Sequence, residues 1–271
     1  MVDNEPSVST SANHSFSGVT LLITHYNRSR SLQRLLAAFT ELGCHFEDIV
    51  VSDDGSRAEH YPLLVALQRQ HGFRLITTPQ NRGLGHNLNK GQNAVQTDYV
   101  LYVQEDFIPK SAFVQRFRES LVYMKENKAL DIIRYYAYIP YPNQKPYAGG
   151  FTMMQFSPWT VNYNKVYCYS DHPHLRRQTF FSKFGHYAEG LSGDKTEYRM
   201  CISFLQQKGV GLFYSDYKGL FEQKNDTNEP STMQRVSWTQ SRHLFIAIIR
   251  YIYRQIKYNY DVQYMSLPKS V

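Results

Sequence analysis

The chain has 271 residues, of which 42% are hydrophobic and 20% charged, so it can bury a core and is not globally disordered. Its 30 Lys+Arg against 23 Asp+Glu give a formal charge of +7, which favours an anionic partner such as a nucleotide, an acidic membrane surface or nucleic acid. No run of about 18 apolar residues is present and the N-terminus lacks a signal-peptide pattern, so we expect a cytoplasmic chain without a transmembrane helix. Three widely spaced cysteines exclude a disulfide framework.

Strand and helix patterns alternate through the first half of the chain, after a polar segment at 1–17 that we predict to be a disordered tail. Apolar runs rich in β-branched residues predict strands over 19–23, 48–52, 73–77 and 99–103. Helical spacing predicts a helix capped by Ser31 and stopped by Gly43, one ending near Gly72, one over 84–96, and one running from Pro109 to about Lys125. This alternation predicts an α/β fold with a mostly parallel sheet and helices on both faces.

The pattern loosens after about residue 126. Residues 135–170 are rich in Tyr, Pro, Asn and Gly, which predicts an irregular aromatic segment over one end of the sheet. Further elements are predicted as a helix over 191–205, a strand over 209–214, a loop over 222–234 and a helix over 237–258. We therefore expect one domain over 18–230, with halves 18–125 and 126–230, followed by a basic amphipathic helical extension over 231–271.

Three polar clusters follow predicted strands, at 24–28, 53–56 and 104–106. Ligands of such sheets bind at the carboxyl ends of the strands. The cluster from Asp53 to Ser56 is typical either of a nucleotide contact or of a helix N-cap. Glu105 and Asp106 follow a buried strand, where carboxylates are costly unless they meet a cation or a wet cleft. They fit Mg²⁺ or Mn²⁺ held by one carboxylate and substrate phosphates, or alternatively a turn before the next helix.

The segment 81–91 contains two closely spaced glycines, Gly83 and Gly85. It is not a dinucleotide-binding loop, because Leu88 stands where the third glycine belongs and the loop follows the third strand rather than the first. Its basic residues Arg82 and Lys90 can still meet a phosphate.

Taken in order, these clusters resemble the family 2-like, GT-A-fold glycosyltransferases. Residues 20–28 are similar to the family's first strand, which ends in Tyr-Asn-Arg, and residues 50–56 are similar to its Val-Asp-Asp-Gly-Ser. The two Asn-x-Gly triplets within 81–91 match a further motif, and 101–106 occupy the place of the Asp-x-Asp metal motif, with Gln104 in place of the first acid. The resemblance covers about 18–120, with weaker similarity to about 225.

The resemblance implies transfer of a sugar, with inversion, from a nucleotide-diphosphate donor to a glycan or lipid-linked acceptor. Asp53 or Asp54 would contact the base and ribose, Asp106 would hold Mn²⁺ or Mg²⁺ on the diphosphate, and Glu105 would lie near the ribose or donor sugar. Further substrate contacts would come from Thr24, Tyr26, Asn27, Arg28, Arg82 and Asn89.

The general base implied by the resemblance is an acid at the start of a helix. Glu197 fits best, followed by Asp194 and Glu189. Alternatively, Asp194 and Glu197 have the spacing of a helix capping box. The family's histidine after the last strand is missing from 219–224, so either Glu222 or Lys224 replaces it or no residue does. The segment 171–174 is either a second metal cluster or a loop.

The segment from Arg235 onward carries six Lys/Arg and one acid, Asp261. Within it, the predicted helix has one stripe of isoleucines and another of bases. Either the isoleucines pack on the domain, or residues 242–258 lie on an anionic bilayer at the inner face of the cytoplasmic membrane. The alternative function is a non-catalytic module that binds sugar nucleotides or glycans. We expect no nucleic-acid partner, since the sequence contains no recognition motif for one.

Overall fold

A computed structural model describes residues 13–225, Glu229 and 244–266. It has eleven strands in the described residues: β1 (His14–His25), β2 (Cys44–Asp53), β3 (Arg74–Ile76), β4 (Tyr99–Gln104), β5 (Phe107–Pro109), β6 (Ile132–Arg134), β7 (Gln144–Pro146), β8 (Phe151–Met154), β9 (His174–Arg177), β10 (Gly211–Tyr214) and β11 (Phe221–Gln223). The α-helices are α1 (Ser29–Glu41), α2 (Tyr61–His71), α3 (Leu84–Asn93), α4 (Ala112–Glu126), α5 (Phe180–Phe184), α6 (Gly193–Gln206) and α7 (Leu244–Tyr264).

Nine of these strands form one sheet in the order β3-β2-β1-β4-β9-β6-β10-β8-β7. β9 and β8 pair antiparallel with both of their neighbours, so they run against the other seven. β5 and β11 form a separate antiparallel pair beside the end of β4. The expected α/β architecture with a mostly parallel sheet is confirmed.

Helices cover both faces of the sheet. On one face, α1, α2 and α4 pack on alternate strand residues such as Leu21, Val51 and Leu101. On the other face, α3, α5 and α6 pack on the intervening residues, among them Leu22 and Val100. Each central strand therefore presents apolar side chains on both faces, as expected of strands buried in a parallel sheet.

The predicted elements of the first half are found, with three corrections at their ends. β1 begins at His14, so residues 14–17 belong to a strand rather than a tail, while the prediction for 1–12 lies outside the described residues. α1 begins at Ser29, and its Arg30 and Ser31 N–H groups are capped by the Glu229 carboxylate rather than by the Ser31 side chain. Pro109 ends β5 instead of starting a helix, because residues 107–109 pair with β11.

In the second half, α6 and β10 confirm the predicted helix and strand. The segment 135–170, predicted to be irregular, contains two short strands, β7 and β8, and a 3₁₀ turn at Tyr163–Val166. The start of the loop predicted over 222–234 is instead the end of β11. The last predicted helix is α7, and the part of that prediction over 237–243 lies outside the described residues. None of the helices in the described part of the chain is both long and apolar enough to cross a bilayer.

Candidate active site

Two loops at the carboxyl end of the parallel strands are held together by the residues of their motifs. Asn27 adopts a left-handed conformation with φ of 54°, and its N–H donates to the Ser56 hydroxyl over 2.8 Å. In return, the Arg57 N–H donates to the Asn27 side-chain oxygen over 2.8 Å. The loops after β1 and β2 therefore form one rigid edge of the site.

Asp53 makes its contacts inside the protein. Its fully buried carboxylate lies 2.7 Å from His25 Nδ1, and accepts hydrogen bonds from Ser56 Oγ over 2.5 Å and Thr77 Oγ1 over 2.8 Å. Burial alone would raise the pKa of Asp53, but these hydrogen bonds outweigh it and lower the pKa below its usual range. The Lys90 ammonium also donates to the Asp53 carbonyl.

Asp54 holds the segment that precedes α3. Its two carboxylate oxygens accept the N–H groups of Arg82 over 3.0 Å and Gly83 over 2.8 Å. Burial raises the pKa of Asp54, with those two hydrogen bonds acting in the opposite direction. Direct contact of Asp53 or Asp54 with a nucleotide stays a prediction, since both carboxylates are engaged by protein donors.

An acid cluster lies just beyond β4. The Arg28 guanidinium Nη1 is 3.3 Å from Asp106 Oδ2 and 3.7 Å from Glu105 Oε1, with all three side chains buried. Burial raises the pKa of Glu105 to about 8, against the opposing charge of Arg28. Arg28 also donates to the Asn225 side-chain oxygen over 2.8 Å. The structure thus brings together three of the predicted site residues.

Gln223 is a member of this cluster that the sequence does not indicate. Its Nε2 donates to Asp106 Oδ2 over 2.9 Å, because the β5–β11 pairing places residue 223 beside the cluster. The neighbouring Lys224 contributes only its backbone N–H, which donates to the Asp106 carbonyl, and Glu222 has an exposed side chain. No spacing in the sequence signals a contact between positions 117 residues apart.

The residues present fit a divalent cation held by one carboxylate. Within the described ranges, no three or more His, Cys, Asp or Glu side chains gather as a complete ligand set. Asp106 Oδ1, however, is buried without a hydrogen-bond partner, which is costly unless a cation or another donor meets it. A site with one carboxylate ligand requires further oxygens from water or phosphate, as Mg²⁺ sites commonly have.

Glu197 lies on α6 with its carboxylate against the segment before β9. Its Oε1 accepts hydrogen bonds from Ser170 Oγ over 2.7 Å and the Asp171 N–H over 3.1 Å. Burial raises the pKa of Glu197 and the pKa of the neighbouring Asp171. The negative charge of Glu197 raises the pKa of Asp171 further, because the two acids repel each other. β9 runs antiparallel to β4 with His174 opposite Tyr102, so residues 170–172 lie at the same sheet edge as the acid cluster.

The two other candidate bases have different surroundings. Asp194 is exposed in the first turn of α6. Glu189 accepts from Asn89 Nδ2 over 2.9 Å and pairs with Arg82 over 3.3 Å. Asn89 also exchanges hydrogen bonds with the Tyr187 backbone, so Asn89, like Arg82, holds the 187–189 segment against α3.

The two remaining predicted contacts lie at the carboxyl end of β1, where Thr24 is in register with Gln104. The Thr24 hydroxyl is buried and lies 2.9 Å from the Tyr102 hydroxyl, whereas Tyr26 is partly exposed at the site edge. In the segment 171–174, burial lowers the pKa of His172 to about 3, and the ring packs on Phe107 and Tyr138. Residues 171–173 form a loop and His174 begins β9, and no group of three or more potential metal ligands gathers in the described part of the chain.

Comparison with known proteins shows which family the chain belongs to. Residues 20–185, more than half of the chain, match the model of the family described as Glycosyl transferase family 2. The chain belongs to this family. As a member of glycosyl transferase family 2, it is 25% identical over 91 residues to the poly-beta-1,6-N-acetyl-D-glucosamine synthase of Staphylococcus epidermidis, and 28% identical to that of Staphylococcus aureus strain COL. Each match covers 34% of this chain and 22% of the synthase.

A solved structure of the same fold is that of S. aureus TarS 1-349 in complex with UDP-GlcNAc. It superposes with a TM-score of 0.55 at 14% identity, covering 79% of this chain and 61% of that one. The fold is thereby shown to be of the GT-A type expected from the motifs. The chain spans about a fifth of the length of the curated relatives and less than two thirds of the solved TarS chain.

Proposed function

We propose that this chain transfers a sugar from a nucleotide-diphosphate donor to a hydroxyl of a glycan or lipid-linked acceptor, with inversion. The observation that carries the proposal is the acid cluster, in which the buried, unpartnered Asp106 Oδ1 lies at the sheet edge formed by the motif loops. Because TarS, which has the same fold, was solved in complex with UDP-GlcNAc, UDP-N-acetylglucosamine is the first donor to test.

In this proposal Asp106 holds Mn²⁺ or Mg²⁺, which would neutralise the charge that develops on the leaving nucleoside diphosphate. Arg28 holds the Asp106 and Glu105 carboxylates in place and adds fixed positive charge beside the diphosphate. The loops after β1 and β2, with Tyr26 at their edge, surround the nucleoside. Because Asp53 and Asp54 fix those loops, they act on the nucleotide through loop position as well as through any direct contact.

Glu197 is the proposed general base. Its hydrogen bonds to Ser170 and Asp171 use Oε1, and burial raises its pKa toward the range in which a carboxylate accepts a proton effectively at neutral pH. Asp194 is exposed and Glu189 is paired with Arg82, so neither has comparable support.

A second candidate function is a module that binds a nucleotide sugar or glycan without transfer. Two observations favour it: Arg28 already pairs with both acids of the cluster, and Gln104 replaces the first acid of the motif.

Calorimetric titration tests both functions. UDP, GDP, dTDP and CMP are titrated with and without Mn²⁺, followed by a transfer and hydrolysis assay with UDP-N-acetylglucosamine. We expect Mn²⁺-dependent binding of one nucleotide, lost in Asp106→Ala and kept in Glu41→Ala, which removes an exposed acid on α1. Binding without transfer or hydrolysis would favour the module, and absence of binding to every nucleotide would contradict both the transferase and a module that binds nucleotide sugars.

A further inference from the structure

The C-terminal helix α7 docks on the domain through its polar side. Three of its residues donate to backbone carbonyls of the segment 158–161: Tyr251 Oη to Val161 over 2.7 Å, Gln255 Nε2 to Thr160 over 2.8 Å, and Asn259 Nδ2 to Pro158 over 3.2 Å. A docked polar face is the reverse of the usual arrangement, in which the apolar stripe of a surface helix faces the core.

The other docking contacts of α7 are also polar or aromatic. Asp261, the only acid in the helix, is buried and accepts from the Tyr198 hydroxyl of α6 over 2.5 Å as well as from Lys257. Arg254 donates to the Tyr163 hydroxyl over 3.0 Å, and the Tyr258 ring packs on Tyr198. These contacts fix which side of α7 faces outward.

The outward side, which we term the Ile/Tyr face, is apolar and continuous. It consists of Ile248, Ile249, Ile252, Tyr253, Ile256, Tyr260 and Tyr264, all of them exposed. From the first to the last of these residues it extends about 24 Å along the helix. Trp159 is 89% exposed and Val161 is 71% exposed on the segment that α7 binds, so they border this face. The alternative in which the isoleucines pack on the domain is wrong.

Charge indicates what covers the face. On a helical wheel, Arg250 and Lys257 border its tyrosine edge, and the outward face itself contains no acid. In the sequence from Arg235 onward, bases outnumber acids by six to one. A second copy docked face to face would bring these cationic edges together, whereas an anionic surface would complement them.

We propose that the Ile/Tyr face of α7, bordered by Trp159 and Val161, binds the surface of an anionic lipid bilayer. Isoleucines reach the acyl boundary, tyrosine and tryptophan rings lie at the headgroup level, and the net positive charge of the segment from Arg235 onward attracts the anionic headgroups. Tyr198 of α6 anchors α7 and follows the proposed base Glu197 on the same helix, so α6 connects the base to the membrane-binding helix, which suits an acceptor carried on a lipid. That last step rests on the proposed function, but the membrane contact does not.

Vesicle co-sedimentation tests the contact. We expect the whole chain to bind phosphatidylglycerol/phosphatidylethanolamine vesicles at low salt. Binding should weaken in high salt and should be far weaker with phosphatidylcholine vesicles. The double variant Ile252→Glu/Ile256→Glu weakens binding by about tenfold or more, because charges replace side chains that must enter the interface. Val122→Glu, the same kind of change at an exposed apolar residue of α4, leaves binding unchanged. No binding by the wild type, or equal binding by the double variant, overturns the proposal.

Two further measurements separate the alternatives. Light scattering is expected to show a monomer. If it shows a dimer, and the double variant is monomeric, the face binds a second copy and the proposal is overturned. The chain has 2 Trp, so Trp238→Phe leaves Trp159 as the single reporter, and its emission shifts to the blue on anionic vesicles. An unchanged spectrum removes Trp159 from the contact. Vesicle binding is measured without nucleotide and nucleotide binding without vesicles, so either proposal can fail alone.

Discussion

The motif acids at the strand ends differ in the groups that surround their carboxylates. Asp53 and Asp54 use their oxygens on protein donors and so fix loops, whereas Asp106 keeps one buried oxygen without a partner. Glu105 differs from both, because burial raises its pKa to about 8 even though the positive charge of Arg28 acts in the opposite direction. Carboxylates within one site therefore differ in their surroundings: two fix loops, one keeps an oxygen for the proposed metal, and one lies where burial favours its neutral form.

The sequence predicts many of these residues but few of their partners. Asp106, Arg28 and Glu197 can be named as candidates from the sequence because each belongs to a local motif or a helix start, and their roles stay predictions. Gln223 and Ser170 cannot, since their contacts depend on the β5–β11 pairing and on the position of β9 against β4. A contact formed by long-range strand pairing leaves no spacing in the sequence.

Ser170 offers a test of the proposed base. Burial raises the pKa of Glu197 above its usual value, and the Ser170 hydrogen bond partly opposes this by favouring the charged form. Ser170→Ala therefore raises that pKa further, and the acidic limb of the kcat/KM profile moves to higher pH by about 0.5–1 unit. Above the limb, activity returns close to that of the wild type.

The control for this profile is Ser182→Ala, which removes an exposed hydroxyl from α5. An acidic limb that stays in place or moves to lower pH in Ser170→Ala would exclude Glu197 as the base. A uniform loss of kcat/KM at every pH would instead indicate a positional role for Ser170 alone.

At the scale of elements, predictability follows length and periodicity. β1, β2, β4 and α6 extend over six residues or more and are predicted from their patterns. β5 to β9 and β11 have three or four residues each and are not predicted, because they form only where neighbouring strands pair with them. β3 and β10 are as short, but the strands predicted over 73–77 and 209–214 contain them. The helical wheel of α7 reveals two faces but not which one docks, since that depends on the carbonyls of 158–161.

The turn after β2 gives a prediction at this scale. Gly55 has a left-handed φ of 70°, and a Cβ built there would lie 2.6 Å from the Gln80 carbonyl carbon. Gly72 ends α2 with nearly the same φ, 67°, but its Cβ would meet nothing within 4 Å. Gly72→Ala therefore measures the conformational cost alone, about 1 kcal/mol, while Gly55→Ala adds a backbone clash and costs about 2–4 kcal/mol.

Urea unfolding of the two variants gives both free energies. Gly55→Ala should also weaken nucleotide binding, because the loops around Asp53 and Asp54 must shift, whereas Gly72→Ala should not. Equal losses of stability in the two variants would mean that the approach of Gly55 to Gln80 is not a tight constraint.

At the scale of the whole molecule, the candidate site is assembled from distant parts of the chain. The loops after β1, β2 and β4 come from the parallel side of the sheet, Gln223 from the β5–β11 pair, and Glu197 from α6 beyond β9. α6 also carries Tyr198, which holds α7 through Asp261. One helix thus links the proposed base to the exposed Ile/Tyr face.

Asp261 is the residue through which this link can be broken. Its carboxylate is buried between Tyr198 and Lys257, and its backbone carbonyl accepts from Gln206 Nε2 over 3.4 Å. Asp261→Ala leaves the Tyr198 hydroxyl and the Lys257 ammonium without their buried acceptor, which costs about 1–3 kcal/mol. The cost falls on α7 docking, because the partners of this carboxylate are Tyr198 on α6 and Lys257 on α7 itself.

We therefore expect hydrogen exchange to accelerate over 244–266 in Asp261→Ala, with β1 and β4 as protected as in the wild type. Gln263→Ala, an exposed change two residues further along α7, is the matched control and leaves exchange unchanged. Faster exchange in β1 and β4 as well would mean that α7 unfolds together with the domain rather than as a separate unit. If α7 is released alone, anionic vesicles should restore its protection, because a helix freed from the domain still has its Ile/Tyr face to bury.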